Sequence, residues 1–518
     1  MLGRPVRWMS DRREDLLTTS QGWDEILDAE LHLKSDGTIV GLRADITGDV
    51  GAYSVYPWTA VIEPIQVASF FPGPYRVPNY YARARAVATN KAPMGPYRGV
   101  GRPPAVFAME GLIDRAARRL GIDPVELRMR NYVCADEFPY KTPTGIVWDR
   151  AGFTECMTKA CEALDYDAAR EQQRRARADG RWLGIGFASY VELTGIGSAT
   201  PAAPGMPVPA GTEAATIRVD PSGTVTAIFG VASHGQGLET ALAQVVADEL
   251  EVPLEDVRVR FGDTAFAPYG TGSYASRGAV LGGGAAILAA RAIREKARKI
   301  AAHLLETEPS ELDASGGELW ARSATARRVS LRDIAYAAYA GAKRLPRGME
   351  PGLEVTLFYD PYYGTATAAT HAAMINIDRE TYATKVLRYV VAEDCGRVIN
   401  PLIVDGQVQG GVAQGLGGAL MEEIVYDDSG QLVTGTLMDY LAPSAPEVPE
   451  VEAYHIAAES PTTLGGFRGV GESGTIGAPA AIANAIADAL AQIGVEVIEL
   501  PLTPERIFQL CRRARAGS

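Results

Sequence analysis

Residues 466–490 read GFRGVGESGTIGAPAAIANAIADAL, and the fold turns on what those glycines are for. Gly469, Gly471 and Gly474 spell G-x-G-x-x-G, a helix-like run follows, and Glu499 lies about where a dinucleotide site wants an acid. Such a site needs a buried strand directly before the glycines, so that the phosphate meets the next helix. The preceding AAESPTTLGGFR, with Pro461 and two glycines, does not read as a strand. Only 19 residues follow Glu499, too few for the rest of a doubly wound half. Two readings stay open beside the nucleotide one. The glycines form a turn that caps a helix, or they clear the way for a ligand to reach Glu472, since no side chains block the approach.

The neighbouring patterns set the fold class. Period-two runs around a turn occur at 29–46 (AELHLKSDGTIVGLRADI), 214–230 (AATIRVDPSGTVTAIFG) and 372–394 (AAMINIDRETYATKVLRYVVAED), and read as β-hairpins. Helical runs fall between them at 103–121, 123–131, 237–251, 282–306, 478–494 and 503–513. Several carry proline at the start and glycine at the end. Hairpins mixed with long helices predict an α+β fold of mixed sheets rather than strict βαβ alternation. The charged run 165–184 is the best boundary, and the Pro/Gly/Ala-rich stretch 194–214 reads as a long functional loop.

Composition narrows the function. The 518 residues carry a net charge of −13, which disfavours a nucleic-acid partner. Five cysteines form no C-x-x-C pair and no metal-ligand spacing, which fits a reducing compartment. With no signal-like start and no run of about 18 apolar residues, the sequence predicts a cytoplasmic protein without a membrane span.

Three more glycine-rich segments adjoin helices. GVASHGQGLETALAQ (230–244) holds Gly235, Gln236 and Gly237; YGTGSYASRGAVLGGGAA (269–286) holds Ser273, Tyr274, Ala275 and Ser276; INPLIVDGQVQGGVAQGLGGALMEE (399–423) holds Gln407, Gln409 and Gln414. Read as entries to helices, each offers N–H groups suited to an anion. The glutamine amides donate and accept, so they can read a heterocycle edge. Together with GVGESGTIG they predict a large phosphate-bearing heterocyclic cofactor.

These segments resemble the molybdenum hydroxylase family of xanthine dehydrogenase, aldehyde oxidoreductase and aerobic carbon monoxide dehydrogenase, in its molybdopterin-binding subunit. The likeness runs over essentially the whole chain in family order, and includes LGRPVRWMSDRREDLL, APMGPYRGVGRPPAVFAMEGLIDRAARRLGIDPVELRMRN, EDCGRVINPLIVDGQVQGGVAQGLGGAL and MDYLAPSAPEVP. The resemblance implies residues 1–170 as the C-terminal part of a first molybdopterin-binding domain and 171–518 as a second. It implies molybdenum held by the dithiolene of molybdopterin, in its simple or cytosine-dinucleotide form, with no protein metal ligand. Glu472 falls on the family's active-site base, which takes a proton from the attacking water. Arg98 falls on the arginine beside the metal. Gln236 and Gln407 match pterin contacts, the Ser273–Ser276 segment matches a phosphate loop, and Gly235, Gly237, Gln414 and Gly471 flank them.

Departures shape the rest. The family usually carries, ahead of this region, a small α/β domain and a Gly-Gly-Phe-Gly loop that are not matched here; a second chain supplies them, or the chain is truncated. The loop Gly99-Val100-Gly101-Arg102 lacks the cysteine of copper-dependent carbon monoxide oxidation. Xanthine-type enzymes place an aromatic at Val100 and an arginine at Gln66. An aldehyde or another N-heterocycle is the expected substrate. Electrons are expected to leave through [2Fe–2S] and FAD partner subunits. A non-catalytic assembly scaffold is the second reading, and a nucleotide-binding protein the third. Phe187 and Tyr190 line a channel or pack in the core; His234 reads as structural.

Overall fold

The computed structural model describes residues 3–55, 61–199 and 211–517. Much of the expected 194–214 loop lies outside them. After a short helix at Arg12–Thr18 comes an antiparallel hairpin, β1 (Glu25–Leu33) and β2 (Ile39–Gly51). Helix α1 (Ile62–Phe70) then crosses to β3 (Tyr80–Ala88), parallel to β2. Helices α2 (Arg102–Leu120) and α3 (Pro124–Asn131) follow. Pro103 and Pro104 sit in the first turn of α2, and Gly121 closes it at φ +67°. Next come α4 (Phe153–Leu164), α5 (Tyr166–Ala178) and the long strand β4 (Trp182–Thr194).

The second half builds two four-stranded sheets. β5 (Glu213–Val219), β6 (Val225–Phe229) and β7 (Val257–Arg260) join β8 (Glu354–Tyr359) in the order β8-β5-β6-β7. Helices α6 (Leu238–Leu250) and α7 (Gly283–Leu305) pack on this sheet. β9 (Thr365–Ile377), β10 (Thr384–Asp394) and β11 (Val451–His455) join β4 in the order β11-β10-β9-β4. Helices α8 (Pro401–Leu420) and α9 (Ser473–Leu490) cover that second sheet, and α10 (Pro504–Gly517) closes the chain. All three expected hairpins form.

β4 is buried along its whole length because both faces are covered. Its odd-numbered residues Leu183, Ile185, Phe187, Val191 and Leu193 enter one core with residues from 39 to 176 and from 366 to 392. Its even-numbered residues Trp182, Ala188 and Tyr190 enter another with α8 and α9. The first core therefore runs without a break across residues 170 and 171.

Two helices begin earlier than the sequence suggests. α9 starts at Ser473, inside the glycine motif and ahead of Pro479. Glycine and proline read as breakers there, but close packing outweighs that preference. A Cβ on Gly474 would stand 2.5 Å from the Val408 carbonyl oxygen of α8, and one on Gly469 would overlap the Ser276 carbonyl. α8 starts at Pro401, capped by the Asn400 side chain accepting from the Ile403 N–H. Gln407, Gln409 and Gln414 therefore lie in the body of the helix. Their backbone N–H groups belong to the helix ladder, and the expectation of a loop offering free amides at this segment is corrected. Only their side chains can reach a ligand. By composition α9 and its extension, Ser473–Ile493, are apolar enough to cross a membrane; here the segment is largely buried in protein.

Candidate active site

Glu472 stands where the glycine loop becomes α9, at the N-cap position. An N-cap carboxylate normally accepts from its own helix. This one does not. Its Oε1 accepts the Gly99 N–H at 3.0 Å, and its Oε2 accepts Arg102 Nη2 at 2.8 Å. The Glu472 N–H donates to Ser276 Oγ at 3.1 Å. The side chain keeps 13% exposure. Pure capping is thereby ruled out as the reason for the acid. The nucleotide reading also fails locally, because a short 3₁₀ turn at Leu464–Gly466 precedes the motif where a strand is required.

Burial pushes the Glu472 carboxyl up. The Arg102 charge, a hydrogen bond with Glu192, the Gly99 amide and the Arg98 charge outweigh it and hold the group below its ordinary value. That direction favours the carboxylate, the form that can accept a proton.

Arg98 spans three segments. Its Nε donates to the Gly471 carbonyl at 2.7 Å, its Nη1 to Gln414 Oε1 at 3.2 Å, and its Nη2 to Gln407 Oε1 and carbonyl, each at 3.2 Å. Gln407 and Gln414 are seven apart, so two helical turns place both amides on one face of α8. Tyr97 Oη accepts from Gln414 Nε2. The nearby acids Glu110 and Asp114 pair with Arg128, at 2.8 and 2.7 Å, and not with Arg98.

The 270s loop joins this group. Ser276 Oγ donates to Glu192 Oε1 at 2.8 Å and accepts from Glu472 N–H. Ala275 and Ser276 hold left-handed backbone, φ +48° and +49°, which a buried Arg277–Glu213 pair at 2.8 Å pins in place. Ser273 exchanges hydrogen bonds with Ala232 of the 230s loop. In that loop Gln236 Oε1 accepts from Ser233 Oγ and His234 N–H, so this oxygen stabilises its own turn. Among the described residues nothing lies within 4 Å of a Cβ built on Gly235 or Gly272, which leaves backbone open there on both loops. Gly237 packs on Ile403 at the start of α8. Tyr274 lies under the Arg277 guanidinium, 5.1 Å from ring centroid to Cζ.

Glu472, Arg98, Gln407, Gln414, Gly471 and Ser276 therefore form one connected cluster. Ser273, Tyr274, Ala275, Gly235, Gln236 and Gly237 belong to the adjoining pair of loops. Gln66 and Val100 lie beneath the Arg98 loop, 3% and 7% exposed. Val100 packs with Ile62 at φ +52°, and a Cβ on Gly101 would meet Gln66 Cβ at 2.9 Å. Phe187 and Tyr190 are core residues; Tyr190 Oη donates to the Ser473 carbonyl at 2.6 Å. His234 is exposed on its loop.

Sequence reasoning missed Arg102 and Glu192. Arg102 lies four residues beyond Arg98 at the far end of the same glycine-rich loop, and that proximity was the available signal. Glu192 shares the even parity of Tyr190, which points it at the start of α9. It also missed Glu393, Cys395 and His455, whose ligand atoms lie within 4.8 Å of one another. There His455 already bridges Glu393 at 3.0 Å and Asp405 at 2.7 Å.

The molybdopterin cofactor-binding domain family matches residues 1–132 and 159–449. The large subunit of nicotine 6-hydroxylase from Paenarthrobacter nicotinovorans is 38% identical over 509 residues, 98% of this chain and 62% of that protein. The carbon monoxide dehydrogenase large chain of Hydrogenophaga pseudoflava is 37% identical over 521 residues, 98% of this chain and 63% of its own length. The crystal structure of quinoline 2-oxidoreductase from Pseudomonas putida 86 superposes with a TM-score of 0.94 at 41% identity, covering 99% of this chain and 65% of that one. The chain thus spans somewhat under two thirds of these relatives' length.

Proposed function

The chain belongs to the molybdopterin-binding large-subunit family of the molybdenum hydroxylases, and on that premise we propose that it hydroxylates an N-heterocycle, with water as the oxygen source. The observation that carries this reading is the Glu472 carboxylate, which accepts from Arg102 and the Gly99 amide where the 98–102 and 270s loops meet the head of α9. When bound, the molybdenum cofactor supplies the activated oxygen and takes up two electrons from the substrate.

The residues present fit such a cofactor. Gln407 and Gln414 offer side-chain amides from one helix face. The loops at Gly235–Gly237 and Ser273–Ser276 leave backbone open at Gly235 and Gly272 for the pterin's phosphate end, in its simple or its cytosine-dinucleotide form. Arg98 and the Gly471 backbone close the side facing Glu472. Glu472 Oε1 and Oε2 are the atoms that accept the proton of the attacking water; Arg102 and Gly99 fix their direction before the reaction begins. Gln66 and Val100 shape the floor on the substrate side.

The N-heterocycle is favoured over an aldehyde by the nicotine- and quinoline-acting relatives. Carbon monoxide oxidation is disfavoured, because the Arg98–Arg102 loop holds no cysteine; the free thiols are Cys134, Cys156, Cys161, Cys395 and Cys511. Electrons pass to [2Fe–2S] and FAD partner subunits in the cytoplasm under this reading. The test is turnover of quinoline- and pyridine-type substrates by the purified complex in ¹⁸O-water. Label in the product together with bound molybdenum supports the reading. Product oxygen drawn from O₂, or a complex that binds neither molybdenum nor pterin, contradicts it.

A further inference from the structure

Glu192 is a carboxyl near the end of β4, a strand buried along its whole length, and it has no exposed surface. Such a group is costly unless its oxygens are satisfied. Oε1 is satisfied, by Ser276 Oγ at 2.8 Å. Arg102 Nη2 lies 3.9 Å from that oxygen but 2.8 Å from Glu472 Oε2, so the guanidinium is committed to Glu472. The remaining Arg102 donors go to the carbonyls of Gly99 and Leu193. Among the described residues no N–H or O–H donor reaches the buried Oε2 of Glu192, while Arg102 Nη2 and Ser276 Oγ each lie beside both Glu192 and Glu472. An oxygen that no donor faces is satisfied by carrying a proton itself and donating it. Among the described residues the acid that acts on it is Glu472.

We infer that Glu192 is a positioning residue for Glu472: a neutral carboxylic acid that gives its O–H to the Glu472 carboxylate and keeps its own proton throughout turnover. The inference rests on Glu472 being the base. Arg102, Glu472, Arg98 and Tyr190 are the titratable and charged groups that act on Glu192. Burial pushes its carboxyl well above the ordinary range; Arg102 opposes and Glu472 adds to the rise. Two neighbouring carboxyls cannot both ionise cheaply, and their environments push them apart in the sense an acid–base pair requires. The device keeps the base charged and aimed while adding no second negative charge beside it.

The sign of a pH shift tests this. In the holo-complex, Glu192→Leu removes a hydrogen-bond donor, so the acid limb of kcat/KM moves up by roughly one pH unit. Glu192→Gln restores a neutral donor and keeps the wild-type acid limb. Had Glu192 been ionised, both variants would relieve repulsion and move the limb down; that result overturns the inference. A second readout needs no cofactor. In the full chain at neutral pH, the infrared difference between wild type and Glu192→Gln shows the loss of a carboxylic-acid carbonyl band; loss of carboxylate bands instead refutes the assignment. If Glu192→Leu does not fold, the Gln variant and the infrared difference decide. If no heterocycle is turned over, the proposed activity fails and the infrared arm still judges Glu192.

Discussion

Arg102 has one guanidinium and two carboxyls within reach, and the difference between 2.8 and 3.9 Å decides which one it serves. A hydrogen-bonded pair at the shorter distance in a buried setting is strong, while the longer is a through-space attraction. Arg98, four residues earlier, spends its donors on neutral oxygens and so acts as a strut between α8 and the Gly471 backbone. Arg128 is the structural counterpart. It is fully buried against Glu110 and Asp114, and donates to the Phe187 carbonyl at 3.1 Å. Arg128→Met leaves two buried carboxylates without their cation and is expected to lower stability by about 3–5 kcal/mol, read from urea unfolding of the full chain. Arg98→Met, with half its contacts on side-chain amides, is expected to lower retention of the cofactor more than stability, read as molybdenum per complex.

α9 is the element on which the site depends, and its small residues are the reason. Its glycines and alanines let its backbone come down on β4 and α8, so the first turn, with Glu472 at its head, is set by packing on both sides. Gly474→Ala forces a methyl to 2.5 Å from the Val408 carbonyl and is expected to cost about 1–3 kcal/mol despite alanine's better helix propensity. The measurement is the urea midpoint of the full chain. A neighbouring device ties β10, β11 and α8 together. His455 is raised to about 9 by its hydrogen bond to Glu393, against burial and with help from Asp405. A group whose folded pKa exceeds its unfolded value of about 6.5 stabilises fully below that pH, and the contribution is lost as pH rises through about 9. His455→Phe is therefore expected to flatten the decline of the urea midpoint between pH 7 and 10. These elements differed in how openly the sequence declared them. The hairpins and α2, α6 and α7 were legible because period-two and 3.6 patterns met ordinary caps. The starts of α8 and α9 were not, because glycine and proline read locally as breakers while tertiary packing overrules them. Arg102 and Glu192 stayed hidden for a related reason: a buried polar residue declares its role only through a partner far along the chain.

At the scale of the whole molecule the site exists only because distant segments meet. Arg98 and Gly471 are 373 residues apart in sequence, and Ser276 and Glu472 are 196 apart. No single segment could have shown this arrangement; the sequence disclosed it through the joint presence of the glycine- and glutamine-rich stretches. The central claim is that this convergence leaves one acid, Glu472, facing a molybdopterin-held metal as the proton acceptor. Glu472→Gln keeps the Arg102 contact and the size of the side chain but removes the basic charge. In the assembled complex it is predicted to retain wild-type molybdenum and pterin content while kcat for heterocycle hydroxylation falls by about 10²–10⁴-fold. Near-wild-type turnover by the cofactor-loaded variant would contradict the account.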